Sequence, residues 1–475
     1  MKVKLVSILV ALALVLAGVA LPVFSQGYNT QFTTSITYQN VDTTPTSALQ
    51  ILFYAAGSGT PIVIPRPNLN PGAGTSLFVG SLSEISPGFQ GSAVIQSDKR
   101  LVATLVQVPQ NSPTVKNRPL SNGMETGSPN VLLATVLKNQ FSTTTRFSVQ
   151  VTDSEANNLT IKFYDTSAQL VHTITRNNVP SGSSFYVDAG TISQLGTSFN
   201  GSAVIEARRG NGSDGAAVAS AMELSTTGPA VSAFEGVSQG ATTVYMPSAL
   251  CNAFGGYNSS FAVQNTDLNN STTVTVAYSN GVNHTRSIGP GAKASFVACN
   301  APGMPAGFSG SATVTSTSTP IVAIGKVYGL GTSTAFLGVP SGAAKLALPY
   351  VRWTQSYWDN GQRQRAFIAV QNIGSNPIPA GALSIRYVDR DGNTVVTHTF
   401  NQTINVGEKV NSNPYFNQDP AAAEFGYYQD GGFGGSAIVE CTAAGCQVAA
   451  VVRIQSKVPA DGSTVGEDYN GIPVP

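Results

Sequence analysis

Phe308-Ser309-Gly310-Ser311-Ala312-Thr313-Val314 is the stretch on which the reading of this chain turns. The same box stands at Phe89-Gln90-Gly91-Ser92-Ala93-Val94, at Phe199-Asn200-Gly201-Ser202-Ala203-Val204 and at Phe433-Gly434-Gly435-Ser436-Ala437-Ile438. Gly91, Gly201, Gly310 and Gly435 lie 110, 109 and 125 residues apart. Four copies at that spacing imply a tandem array of domain-sized repeats.

Working outward from the box, each copy carries the same succession of short segments. Phe147-Ser-Val149-Gln150-Val151 matches Ile36-Thr-Tyr38-Gln39, Phe261-Ala-Val263-Gln264 and Phe367-Ile-Ala-Val370-Gln371. Leu159-Thr-Ile161-Lys-Phe163-Tyr164 matches Leu49-Gln-Ile51-Leu-Phe53-Tyr54, Val274-Thr-Val276-Ala-Tyr278 and Leu383-Ser-Ile385-Arg-Tyr387. A Gly/Pro turn follows, then the box, then a closing apolar hairpin. Period-two alternation rich in Thr, Val, Ile and Tyr, cut by Gly, Pro and Asn, reads as strands. No segment offers a three-turn helix. The expected fold class is all-β, with four tandem antiparallel β-sandwich domains, immunoglobulin-like or jelly-roll-like, after a signal peptide. The expected divisions are 1–25 as signal peptide, then 26–124, 125–238, 239–340 and 341–475.

Within the box, the Phe is expected to plug one end of its own sandwich. The Gly would allow a close approach of backbones, and Ser and Ala would start a tightly packed strand. Repeats two to four each open with an apolar strand, at Val131, Val244 and Leu346. Repeat one has no counterpart once residues 1–25 are removed, which leaves a sheet edge open to strand addition. Aromatic segments end the repeats, at Phe234, Phe336 and Tyr469, with a fainter copy at Leu120. Docked linkers of this kind predict a stiff rod of about 150 Å.

The N-terminus, Met1-Lys2-Val3-Lys4 followed by an apolar run to Val23, reads as a secretory leader cleaved after Ser25. Only 10% of the 475 residues are charged, against about 25% in ordinary soluble domains. Such a surface attracts neither nucleic acid nor anionic membranes. The expected location is secreted, extracellular or at the cell surface, with no membrane span after leader cleavage.

Four cysteines suit an oxidising compartment. Neighbouring strands favour Cys251–Cys299 and Cys441–Cys446 among the three pairings. His172, His284 and His398 are read as equivalent strand positions, which opposes a metal or catalytic role. Asp389-Arg390-Asp391-Gly392-Asn393 spaces Asp389, Asp391 and Asn393 like the start of a calcium loop, without its terminal Glu, a weak calcium candidate; an Asp-Gly hairpin turn explains it without metal. No catalytic triad, nucleophile elbow or carboxylate pair is evident, so no enzyme and no cofactor is expected.

Repeat four carries extra aromatic groups: Trp353, Tyr357 and Trp358 in one insertion, Tyr427 and Tyr428 in another. They would stack on sugars, meet another subunit or cover the end of the domain. The tail residues Tyr469, Ile472 and Val474 are candidates for head-to-tail contact with the next molecule. The leading functional reading is a secreted structural protein, the subunit of a filament, sheath or surface layer that self-associates. The alternative is a carbohydrate- or cell-binding adhesin using the aromatic loops.

Overall fold

The computed structural model describes residues 27–474, apart from 111, 113–114, 355–362, 427–434 and 458–463. The leader and Tyr357, Trp358, Tyr427, Tyr428 and Phe433 lie outside the described residues. Among the described residues no helix is long and apolar enough to cross a membrane.

The chain is all-β, and antiparallel sheets pair into sandwich-like units that repeat along it. In the second unit one sheet runs Ser184–Asp188, Thr143–Val151, Ala217–Ser225, Val231–Glu235. The other runs Leu170–Val179, Asn157–Asp165, Phe199–Arg209, Asn130–Lys138. The same order recurs in the third and fourth units, where Thr243–Cys251 and Lys345–Leu348 take the place of Asn130–Lys138. Alternation drives this. Leu159, Ile161 and Phe163 are fully buried while Thr160 and Lys162 between them are half-buried, so each strand covers one core.

The first unit departs from the pattern on one side. Its box strand, Gly91–Ser97, pairs with Leu49–Ala55 and, among the described residues, has no outer neighbour.

The units do not line up as a rod; they close into a ring. The strands that end the units, Leu120–Asn122, Val231–Glu235, Thr332–Leu337 and Thr464–Asn470, meet one another in cyclic order at the centre. Asn470 Nδ2 donates to Leu337 O at 2.8 Å, and Leu337 N donates to Asn470 Oδ1 at 2.8 Å. Asn122 Nδ2 donates to Asn470 O at 2.9 Å, and Asn122 N donates to the Glu235 carboxylate. The first unit therefore touches the fourth, some 350 residues away in sequence. The expectation of a rod treated these aromatic segments as linkers. They are strands with two sides: the aromatic ring fills the unit's own core, and the opposite side packs on the neighbouring units.

The tail is also used inside the chain. Tyr469 and Val474 are buried, and Ile472–Pro473 pairs with Ala347 and Leu346. Val474 packs with Val102 and Val41 of the first unit. The head-to-tail contact expected between molecules is made within one molecule, because ring closure brings residue 474 to the first unit.

Two disulfides staple this framework. Cys251 is joined to Cys299 across 48 residues, and Cys441 to Cys446 across 5. The longer loop removes more unfolded-state entropy, so replacing Cys251 and Cys299 by Ala should cost about 2–4 kcal/mol. Thermal melting of the variant, compared with the Cys441/Cys446 double variant, checks the order.

Candidate functional site: the joints and the ring centre

The residues repeated four times converge on the contacts between units. The Gln that ends the second segment of each unit points at the box of the unit before it. Gln39 Nε2 donates to Ser436 Oγ at 2.7 Å and to Gly72 O at 3.0 Å. Gln264 Nε2 donates to Ser202 Oγ at 2.9 Å. Gln371 Nε2 reaches Gly407 O at 3.3 Å, which also accepts from Ser311 Oγ at 2.6 Å. Gln150 Nε2 and Ser92 Oγ meet on Gly182 O at 3.1 and 2.7 Å. Gln39, Gln264 and Gln371 are 0%, 2% and 0% exposed, and Ser202, Ser311 and Ser436 are fully buried. Buried polar groups are generally bonded, and here each Gln shares a turn carbonyl of its own unit or a box Ser of the unit before it, so the partners span the joint. Each box thus docks on the following unit, and the fourth box docks on the first unit.

The box Gly is needed where it stands. A Cβ on Gly201 would lie 2.1 Å from Tyr164 O and 2.3 Å from the Phe199 ring; one on Gly310 would lie 2.4 Å from the Phe308 ring. The Phe folds back over its Gly and meets the facing strand's aromatic edge-on, as Phe89 does Phe53 at 6.4 Å and Phe308 does Tyr278 at 5.9 Å. In the fourth unit Phe425 occupies this place against Tyr387, at 5.8 Å. Sequence reasoning had the Phe and Gly inside one sandwich and missed the Ser as a joint. The signal was available: a Gln and a Ser recurring in phase with each other are a donor and an acceptor in search of partners.

Charged groups are buried at the same joints. Lys293, beside Gln264, donates to Gly201 O at 2.9 Å and Thr135 Oγ1 at 3.3 Å; burial holds its pKa down at about 7. Lys326 pairs with Glu223 of the second unit at 2.7 Å. Arg453 makes a two-pronged pair with Asp468, at 2.9 and 2.6 Å, and Thr334 of the third unit donates to the same carboxylate at 2.8 Å.

Glu235 at the ring centre has its carboxyl pushed up to about 7 by burial, the Asn122 amide offsetting part of this. Its ordinary pKa is 4.5. Between those values the folded chain holds more protons than the unfolded one, so stability falls as pH rises from 4.5 to 7 and then levels. The loss should approach about 3 kcal/mol. Glu235→Gln should flatten this part of a urea-denaturation series run from pH 4.5 to 8; an unchanged slope would show that another group sets it.

The sequence-predicted residues fall elsewhere. Trp353 is not a surface platform. It is 6% exposed, stacked on Tyr415 at 5.9 Å, edge-on to Phe367 at 5.7 Å and beneath the Arg365 guanidinium at 4.4 Å. Covering the apolar end of the fourth core outweighs presenting an indole to water. Asp389, Asp391 and Asn393 form a hairpin turn in which Asp389 Oδ1 accepts from the amides of Asp391 and Asn393 at 3.0 and 2.8 Å. That turn docks on the first unit: Arg390 O accepts from Gly74 N at 3.1 Å, and a Cβ on Gly392 would lie 2.3 Å from Pro71 O. Among the described residues no three His, Cys, Asp or Glu side chains gather as metal ligands.

The histidines are not all equivalent. His284 faces Val276 and His398 faces Ile385, but His172 faces Phe163, the counterpart of Tyr278 and Tyr387. A register shift beside Phe163 moves it along the strand. They lie against aromatic rings, such as Phe296 at 5.1 Å and Phe416 at 4.0 Å. A shallow depression of about 300 Å³ lies between the second and third units, lined by Asn200, Arg286 and Lys293.

Among the described residues, the side chains gathered at the joints bond to one another across the units. No family model matches the chain, and no curated protein matches it. One solved structure, described as a tetra-tandem repeat in the extending region of a large adhesion protein, is similar over 93% of this chain and 95% of its own length. The identity is 10% and the TM-score 0.10, a score that carries no argument about fold or activity.

Proposed function

We propose that the protein is a secreted structural protein, a subunit of an extracellular filament, sheath or surface layer. Each unit is read as an immunoglobulin-like sandwich, divided near residues 124, 238 and 340. The observation that carries the reading is the set of four Gln and Ser joints, three of them buried, which turn four small sandwiches into one closed body. Groups that could serve chemistry are spent on cohesion. Low charge leaves little repulsion between copies.

Exposed apolar tips supply contact surface. Phe141 and Phe254 stand at matching turns of the second and third units, 75% and 71% exposed, both at positive φ. On this reading they are the points at which copies meet. Self-association through these tips replaces tail exchange as the route to a layer or polymer, and it needs no cofactor.

Electron microscopy of native secreted material is the test. Ordered arrays or filaments are expected, dispersing when Phe141 and Phe254 are both changed to Ser. Dispersed single rings together with saturable glycan binding would instead establish the adhesin.

A further inference from the structure

The open side of the first unit is a slot of defined chemistry. In the other units the strand beside the box strand is Asn130–Lys138, Thr243–Cys251 or Lys345–Leu348. Their registers coincide. Val131, Val244 and Leu346 lie opposite Ile205, Val314 and Val439; Leu133, Met246 and Leu348 lie opposite Ala203, Ala312 and Ala437. Past a bulge, Val136 and Ala249 lie opposite Gly201 and Gly310, and Val351 N donates to Gly435 O. The occupant therefore reads apolar-x-apolar-x-x-apolar: Val131-x-Leu133-x-x-Val136, Val244-x-Met246-x-x-Ala249, Leu346-x-Leu348-x-x-Val351.

On the first unit the matching positions are uncovered. Ala203, Ala312 and Ala437 are 0%, 1% and 0% exposed, whereas Ala93 is half-buried. Ile205, Val314 and Val439 are fully buried, whereas Ile95 is half-buried, and Gly91 is exposed. The far wall shows the same deficit. In the other units the occupant strand also packs on the following unit, as Ala347 does on Val102. Gln150, on the wall facing the slot, is half-buried where its three counterparts are at 2% or less.

We propose that strand Gly91–Ser97 is a binding site for an extended segment of a separate polypeptide with the pattern Val/Leu-x-Leu/Met-x-x-Val/Ala, added antiparallel. Main-chain hydrogen bonds would supply affinity, and the alternate apolar side chains would supply register and choice of partner. A second copy's own edge fits badly: set on Ala93 and Ile95 its third apolar position is Asp98, and set on Gly91 and Ala93 it is Gln96. The chain's three other copies of the pattern are already paired in their units. Residues Val19-Ala20-Leu21-Pro22-Val23-Phe24 carry the pattern in sequence, with the same spacing to Gln39 as Val244 has to Gln264. They belong to the segment read as the leader, whose cleavage would remove them. The proposal deepens the assembly reading by naming how one molecule would take hold of another protein.

The probe is a labelled synthetic peptide with the sequence of residues 130–138, added to the secreted chain that begins at residue 26. Saturable binding is expected, with new amide-exchange protection confined to residues 91–97. A peptide carrying Val131→Asp and Leu133→Asp should bind at least about tenfold more weakly, because a carboxylate would face the core. Equal binding by both peptides, or no protection of 91–97 in a chain that melts cooperatively, overturns the proposal. So does mass spectrometry showing that the secreted chain keeps residues 19–25 with 91–97 already protected, or sedimentation as a dimer that blocks the peptide. Ordered native arrays without peptide binding would remove the acceptor strand and leave the scaffold standing. Peptide binding by molecules that never assemble would do the reverse.

Discussion

Deleting residues 464–475 is expected to unfold the fourth unit and open the ring. The segment supplies strand Thr464–Asn470, which pairs with Val448–Lys457 over its whole length. Tyr469 fills the fourth core at 2% exposure, its hydroxyl donating to Tyr350 O at 2.6 Å. Burying each large apolar side chain contributes about 1.5–3 kcal/mol, and Val465, Tyr469 and Val474 are all lost. Arg453 would also lose its ion-pair partner Asp468. The sum is on the order of 10 kcal/mol, comparable with the whole stability of a typical domain. Asn470 also leaves its bonds to Leu337 and Asn122, so closure between the fourth unit and both neighbours goes too. Limited proteolysis should cut the truncated chain beyond residue 341 while residues 125–340 survive. A truncated chain that melts like the intact one would show that the centre is not what holds the ring.

Asp468→Ala should cost about 3–5 kcal/mol on its own. Its side chain is fully buried, Arg453 is nearly so, and Thr334 ties the pair to the third unit. Removing the acid strands a guanidinium in a site largely shielded from water. The ring itself suggests the repair. Arg453 faces Asp468 just as Val106 faces Leu120, Met222 faces Ala233 and Lys326 faces Ala335. The first unit thus fills this position with an apolar pair. Arg453→Met combined with Asp468→Leu should recover most of the loss, since a buried ion pair is often replaceable by packed apolar groups. Calorimetric melting of the single and double variants decides it. If the double variant is no better than Asp468→Ala, the ion pair is specifying the joint with the third unit rather than filling space.

Each prediction combines a local hairpin contact, Arg453 with Asp468 15 residues on, with contacts more than a hundred residues apart, such as Thr334 with Asp468, and the distant contacts were the least legible features. The strands themselves were readable, because alternation such as Leu159-Thr-Ile161-Lys-Phe163 is a local consequence of one face being covered. The gap beside Gly91–Ser97 among the described residues has a counterpart in sequence, where one segment is missing from a repeated order. For Trp353 three readings stood open, a sugar platform, a subunit contact or a cap on the domain end, because an indole in an insertion looks the same in sequence whether it caps a core or meets a ligand. The box was half understood: its Phe and Gly act within one sheet pair, while its Ser acts on a different unit.

Composition, the fourfold box and period-two alternation were enough to establish an all-β chain of repeated sheets, because they depend on local backbone preference and on burying one face. Whether the repeats extend or close could not follow from them. A rod and a ring use the same strands in the same order. What separates them is the fixed turn at each joint, set by where Gln39, Gln150, Gln264 and Gln371 meet their serines and turn carbonyls. Repeated four times, that turn brings residue 474 back against Val41 and Val102, and only the packed structure adds it up.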